Sequence, residues 1–329
     1  GPHTHYLKEG TPTMGGIIII LSIILPSILW IRLDNIYSWI IIIATLFMGI
    51  IGFVDDYLKI VKKISKGLIA RYKLIAQILT GIFISFMVLN YIEEPKIFID
   101  HNNNFIQNIS NTSISIPFMA SNSSDNDING FLELPQWLYV ILVIAVIAAT
   151  SNAVNLTDGL DGLATGLSAI SILAMGAIAY ASGRVDFSDY LNILYLKGSD
   201  ELLIFSFATI GACLGFLWYN SNPASVFMGD TGSLALGTVL GTLAVLLRKE
   251  ILLIIIGGIF VIESLSVIIQ VLYFRYTKNK FGEGKRFFLM APIHHHFEEK
   301  GLTESKIVIR FWIIGILLAL FSLSTFKLQ

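Results

Sequence analysis

Long apolar runs alternate with short polar connectors along the 329 residues, and nine of the runs approach the length that carries a helix across a bilayer, about 20 residues. They lie near 14–32, 37–54, 74–92, 135–151, 160–181, 201–219, 233–247, 251–274 and 307–326. None alternates with the period of two that lipid-facing strands require, so helices, which satisfy their own backbone in hydrocarbon, are the predicted elements. The expected fold class is all-α: a polytopic integral membrane helical bundle of about nine spans, with 1–329 forming a single transmembrane domain. The run at 233–247 is short and glycine-rich, and the run at 251–274 is long and carries Glu263, Ser264, Ser266 and Gln270. A tilt, break or kink is expected in one or both. Segment 93–134 departs from the pattern, being rich in Asn and Ser and carrying Glu93, Glu94, Asp100, Asp125, Asp127 and Glu133 against Lys96. It reads as a long, poorly ordered polar loop on the external side.

Composition agrees with the pattern: 55% of residues are hydrophobic, 14% are charged and mean hydropathy is +0.74, which excludes an ordinary soluble globular domain. The net charge of −1 says nothing about partners, but its division between the two sides is informative. If residues 1–13 lie on one side, the connectors near 55–73, 152–159, 220–232 and 275–306 share it, and fifteen of the 22 Lys and Arg residues fall there. Only Arg32, Lys96, Arg184, Lys197, Arg248, Lys249 and Lys327 fall on the other. The positive-inside rule makes the first side cytoplasmic and leaves the C-terminus outside. Cys213, the single cysteine, lies in an apolar run and reads as a small core residue. The chain starts in a polar stretch with no charged region leading into an apolar run and a cleavage site, so no signal peptide is expected and the chain reads as a fragment or processed form.

On that count every conspicuous polar cluster falls on the same face. Asp55-Asp56 closes the second run; neighbours on a helix point about 100° apart, so the two carboxylates meet different partners. Acid near a helix C-terminus opposes the macrodipole, which favours function over a merely solvated boundary charge. Between the fourth and fifth runs, SNAVNLTDGLDGLA crowds Asn152, Asn155, Thr157, Asp158 and Asp161 together, more than a helix cap requires. Asp230 sits between glycines in VFMGDTGS, where backbone N–H groups at a helix start favour anions and a carboxylate can hold a hard cation; a tight turn with a cap is the bland alternative. MAPIHHHFE places His294, His295 and His296 consecutively without HExxH spacing, which favours phosphate or sugar binding by one imidazole over a transition-metal site. Carboxylates without thiols suit Mg²⁺, and basic loops beside them suit an anionic substrate. The combination, at a membrane interface, points to phosphoryl transfer involving a lipid phosphate. An ion-coupled transporter would account for an intramembrane acid such as Glu263, yet the acids cluster at one interface and no internal repeat is visible.

Taken together, KEGTPTMGG, GFVDDYLK, SNAVNLTDGLDGLA, PASVFMGDTGS and MAPIHHHFE resemble the bacterial phospho-N-acetylmuramoyl-pentapeptide transferases of the polyprenyl-phosphate N-acetylhexosamine-1-phosphate transferase superfamily. The resemblance covers the chain apart from 93–134, and the intact MAPIHHHFE separates it from the related polyprenyl-phosphate GlcNAc-1-phosphate transferases. It implies transfer of phospho-MurNAc-pentapeptide from UDP-MurNAc-pentapeptide to undecaprenyl phosphate, giving lipid I and UMP with Mg²⁺, by a homodimer in the bacterial inner membrane with its cleft facing the cytoplasm and no nucleic-acid partner. Carried over, Asp230 is the Mg²⁺ ligand, and Asp55, Asp56 and His294 join it as catalytic residues. Lys8, Thr13, Asn155, Asp158, Asp161, Asn220, Phe227, Gln270 and His295 line the nucleotide pocket, with Phe227 stacking on the base. Family members have ten spans, so the resemblance also implies that the first precedes residue 1.

Overall fold

The computed structural model describes residues 10–64, 66–100, 105–117, 123–124, 127–128 and 130–325. Twelve helices follow one another among these: α1 (Gly16–Trp30), α2 (Ile36–Ile60), α3 (Ala70–Tyr91), α4 (Gln136–Thr157), α5 (Leu163–Ser182), α6 (Val185–Leu191), α7 (Glu201–Asn220), α8 (Gly229–Leu246), α9 (Glu250–Ile256), α10 (Gly258–Phe281), α11 (Ile293–Glu299) and α12 (Glu304–Ser324). Eight of them, α2, α3, α4, α5, α7, α8, α10 and α12, are long and apolar enough to cross a membrane. The first expected span is shorter than the rest, a 15-residue apolar helix with Pro26 inside it. The break expected in 251–274 falls at Gly257, which separates α9 from α10.

The segment expected to be a poorly ordered loop carries three short antiparallel pairs among its described residues. β1 (Lys96–Asp100) pairs with β2 (Phe105–Asn108), β3 (Ser113–Ser115) with β6 (Phe131–Glu133), and β4 (Ser123–Ser124) with β5 (Asp127–Ile128). A few apolar positions override the polar composition: Ile97, Ile109 and Ile114 are buried against the helical core. Arg248 and Lys249, in the turn after α8, hold this segment through side-chain hydrogen bonds. Arg248 donates to Asn111 Oδ1 at 2.9 Å and to the Tyr139 hydroxyl, and Lys249 Nζ donates to Ser115 Oγ at 3.0 Å.

Helix α8 is the axis of the bundle. Every residue from Thr231 to Leu246 is buried, and α2, α4, α1 and α5 all pack on it. A helix apolar on all sides has no preferred face, so close approach is set by small residues. Gly52 of α2 is the decisive one: a Cβ there would lie 2.3 Å from the Asp230 carbonyl oxygen. That contact brings the polar end of α2 against the first turn of α8.

Candidate active site

Asp55 and Asp56 diverge, as adjacent residues on a helix must, and meet different partners. Asp56 is an anionic cap on α8: its Oδ1 accepts from Asp230 N at 3.1 Å, and its Oδ2 from Thr231 N at 2.9 Å and Thr231 Oγ1 at 2.6 Å. A carboxylate over the first turn satisfies backbone donors that have no partner within the helix and complements the helix dipole. Asp55 turns the other way. Its Oδ1 accepts from Leu68 N at 2.6 Å, and its Oδ2 lies 2.5 Å from Lys59 Nζ and 3.0 Å from Lys73 Nζ. The same two ammonium groups reach Asp230 Oδ2, at 3.1 Å and 2.5 Å, while Asp230 Oδ1 accepts from Asn155 Nδ2 at 2.9 Å. Asp55, Asp56 and Asp230 bring carboxylate oxygens within 4.8 Å of one another, an arrangement able to hold a metal ion. The donor set is all oxygen, as a hard divalent cation requires.

Beside this cluster opens a polar cavity of about 400 Å³ lined by Thr13, Asn155, Asp158, Gly159, Leu160, Asp161, Asn220, Phe227, Met228, Gly229, Asp230 and His295. Eight of the expected site residues therefore share one wall system, although they come from segments far apart in the chain. Backbone hydrogen bonds explain part of the convergence: Phe227 N donates to Pro12 O at 2.8 Å and Gly15 N to Phe227 O at 2.9 Å, which sets Thr13 beside Phe227. Asn220 ties α7 to the glycine-rich turn, accepting from Gly162 N at 3.1 Å and donating to Val226 O at 2.9 Å. Asp161 secures the 222–224 loop through Asn222 Nδ2 at 3.1 Å and Ala224 N at 3.0 Å, and Glu304 of α12 accepts from both Asp161 N and Asn222 Nδ2. Asp158, just past the end of α4, has its carboxyl pushed up to about 8, first by burial and then by the acids Asp230, Asp56 and Asp161 around it.

The three histidines separate. His295 faces the cavity, with Nδ1 2.6 Å from Glu298 Oε2. His296 Nδ1 accepts from Leu289 N at 3.1 Å. His294 is fully buried behind Gly159, its Nδ1 3.1 Å from Glu263 Oε2. Gln270 also lies off the cavity wall, where its Oε1 accepts from Phe287 N and Phe288 N and so holds the segment leading to α11. Lys8 lies outside the described residues. Lys59 and Lys73 counted in the sequence only as positive charge. The i,i+4 spacing of Asp55 and Lys59 could have singled out the first, whereas Lys73 has no local signal. Glu304 and Asn222 were equally hidden.

Fold and site together define a polytopic membrane protein whose acid-lined polar cavity, with two lysines paired to the aspartates beside it, lies where the ends of several helices converge. The family model described as glycosyl transferase family 4 matches residues 38–248, and a phospho-N-acetylmuramoyl-pentapeptide-transferase signature matches residues 8–20. Curated relatives of that name include proteins from Thermodesulfovibrio yellowstonii and Chloroherpeton thalassium, 50% and 49% identical with all of this chain and 83% of the relative covered. A further one from Flavobacterium johnsoniae is 48% identical over 98% of this chain and 83% of its own length. The chain belongs to the phospho-N-acetylmuramoyl-pentapeptide-transferase family.

Proposed function

We propose that this chain transfers phospho-MurNAc-pentapeptide from UDP-MurNAc-pentapeptide to undecaprenyl phosphate, giving lipid I and UMP, as a single-domain enzyme and homodimer in the bacterial inner membrane with its cavity facing the cytoplasm. The observation that carries this reading is the quartet of Asp55, Asp230, Lys59 and Lys73 at the edge of the cavity. Reaction between two phosphate-bearing substrates is opposed mainly by charge repulsion, so fixed cations and held geometry supply most of the catalysis. Asp230, facing Asp55, would hold Mg²⁺, which when bound neutralises the diphosphate. With Asp158 protonated, four aspartates at the cavity edge still outnumber two lysines, so a diphosphate needs such a counter-charge to enter.

The acceptor phosphate, with a second pKa of about 6, is largely dianionic at neutral pH and needs little deprotonation. Its oxygen forms a bond to the β-phosphorus of the donor as the bridge to the α-phosphate breaks, and UMP departs with the bridging oxygen. Lys59 and Lys73 lie against the phosphoryl oxygens, Asp55 orients the acceptor phosphate, and Asp56 keeps Asp230 in place through the first turn of α8. Thr13, Asn155, Asp158, Asp161, Asn220, Phe227 and His295 receive the nucleotide, Phe227 by stacking on uracil. Lys8 and Gln270 serve recognition of the same nucleotide, and His294 meets a phosphate from behind Gly159.

The test is formation of a lipid-linked product. Purified protein incubated with undecaprenyl phosphate and UDP-MurNAc-pentapeptide should yield a species with the mass of lipid I. Its absence with folded, donor-binding protein would refute the assignment. A burst of UMP before acceptor is added would replace direct attack with a covalent aspartyl-phosphate route.

A further inference from the structure

Glu263 stands apart from every function assigned so far. It lies in the membrane-spanning α10, is fully buried, and is 31 residues in sequence from the side chain it pairs with, His294. An ionisable group inside a span is costly and is kept where it has a partner or a task. The pair is incompletely satisfied in an informative way. His294 Nδ1 and Glu263 Oε2 are 3.1 Å apart, but His294 Nε2 and Glu263 Oε1, both buried, have no hydrogen-bond partner among the described residues. A buried ring nitrogen without a partner costs free energy until a ligand supplies one. The direction in which Nε2 points identifies where such a ligand arrives: a Cβ on Gly159 would lie 2.3 Å from it, and Gly159 is part of the cavity wall. The missing side chain at Gly159 is thus what leaves Nε2 within reach of the cavity.

We propose that Glu263 is a positioning residue that acts through His294: its carboxylate accepts from Nδ1–H, fixes the ring, and turns Nε2 past Gly159 toward a phosphate oxygen of the bound substrates. A carboxylate on Nδ1–H stabilises an imidazolium, and in that form Nε2–H donates to an anionic oxygen. The alternative for an intramembrane acid, an ion pathway, needs a chain of ionisable groups; Glu263 instead pairs with His294, which leads to the cavity wall. The proposal rests on the reading that His294 serves the transfer.

The experiment is a double-mutant cycle on purified protein with undecaprenyl phosphate and UDP-MurNAc-pentapeptide, with rates expressed per donor-binding site. E263Q should lower kcat roughly 10- to 100-fold, as loss of an outer partner of a functional histidine does, with KM for the donor within about twofold of wild type. E263D, which keeps the charge, should recover part of that loss. In the H294N background E263Q should cost less than about twofold, because its effect runs through the ring already removed. Full additivity, a loss confined to KM, or a fall in folded, donor-binding protein with unchanged kcat per site would each overturn the proposal and leave Glu263 a structural residue. Wild-type kcat in H294N would instead remove the reading on which the proposal rests.

Discussion

Replacing Asp56 by Asn tests how the first turn of α8 is held. The native carboxylate accepts three hydrogen bonds, from Asp230 N, Thr231 N and Thr231 Oγ1. Asn keeps one oxygen, which can serve Thr231, and turns an NH₂ toward Asp230 N, so one bond becomes a donor-against-donor contact and the capping charge is lost. A hydrogen bond to a charged group contributes about 1.5–3 kcal/mol and a helix cap about 0.5–2 kcal/mol; these overlap here, giving roughly 2–3 kcal/mol at the position of Asp230. If the transition state depends on that position, kcat should fall about 30- to 150-fold. Thr231→Val removes one donor to the same carboxylate, about 1.5 kcal/mol, and should cost about tenfold. The assay is continuous UMP release with melting midpoints measured in parallel, both midpoints being expected to drop. A loss above about 10⁴-fold in D56N with an unchanged midpoint and a harmless T231V would refute this reasoning, because Asp56 would then act on the reacting groups rather than through α8.

Lys73→Met removes the ammonium that lies 2.5 Å from Asp230 and 3.0 Å from Asp55, and kcat should fall about 100-fold or more, partly restored by Arg; a wild-type rate would exclude a role in charge neutralisation. With the Asp158 carboxyl pushed up to about 8, the folded protein without bound cation keeps a proton that the unfolded chain releases above about pH 4. Stability from this group is therefore present at low pH and lost as pH rises toward and through about 8; D158N should flatten the decline in melting midpoint between about pH 6 and 8.5, and an unaltered slope would count against the assignment. Arg248→Met strands the Asn111 and Tyr139 oxygens at the far end of α8, about 27 Å from the site by helix rise. It should lower the melting midpoint while leaving kcat per folded molecule unchanged.

Much of the architecture was legible in the pattern of apolar runs because a bilayer imposes one length and one backbone solution on each crossing. The gathering of Asp55, Asp158, Asp161, Asp230 and His295 at one place followed from counting crossings, without any tertiary information. The small strands of 93–134 were not legible, since Asn- and Ser-rich composition masks the few isoleucines, such as Ile97 and Ile114, that seat them on the core. Nor was the division of labour within clusters. DD and HHH read as uniform motifs, yet rotation of about 100° per residue sends Asp55 to the lysines and Asp56 to α8, and His295 to the cavity and His294 to Glu263. Lys73 and Glu304 owe their places to packing between helices, which no local spacing records.

One assay reads both the donor that is used and the carboxylate that holds the cation. UMP release by the purified protein should be measured with undecaprenyl phosphate and either UDP-MurNAc-pentapeptide or UDP-GlcNAc, with and without Mg²⁺, for the wild type and Asp230→Asn. Mg²⁺-dependent release from the muramoyl donor alone, abolished in the variant, is the expected result. Release from UDP-GlcNAc would overturn the donor assignment, and undiminished release by Asp230→Asn would overturn the metal assignment.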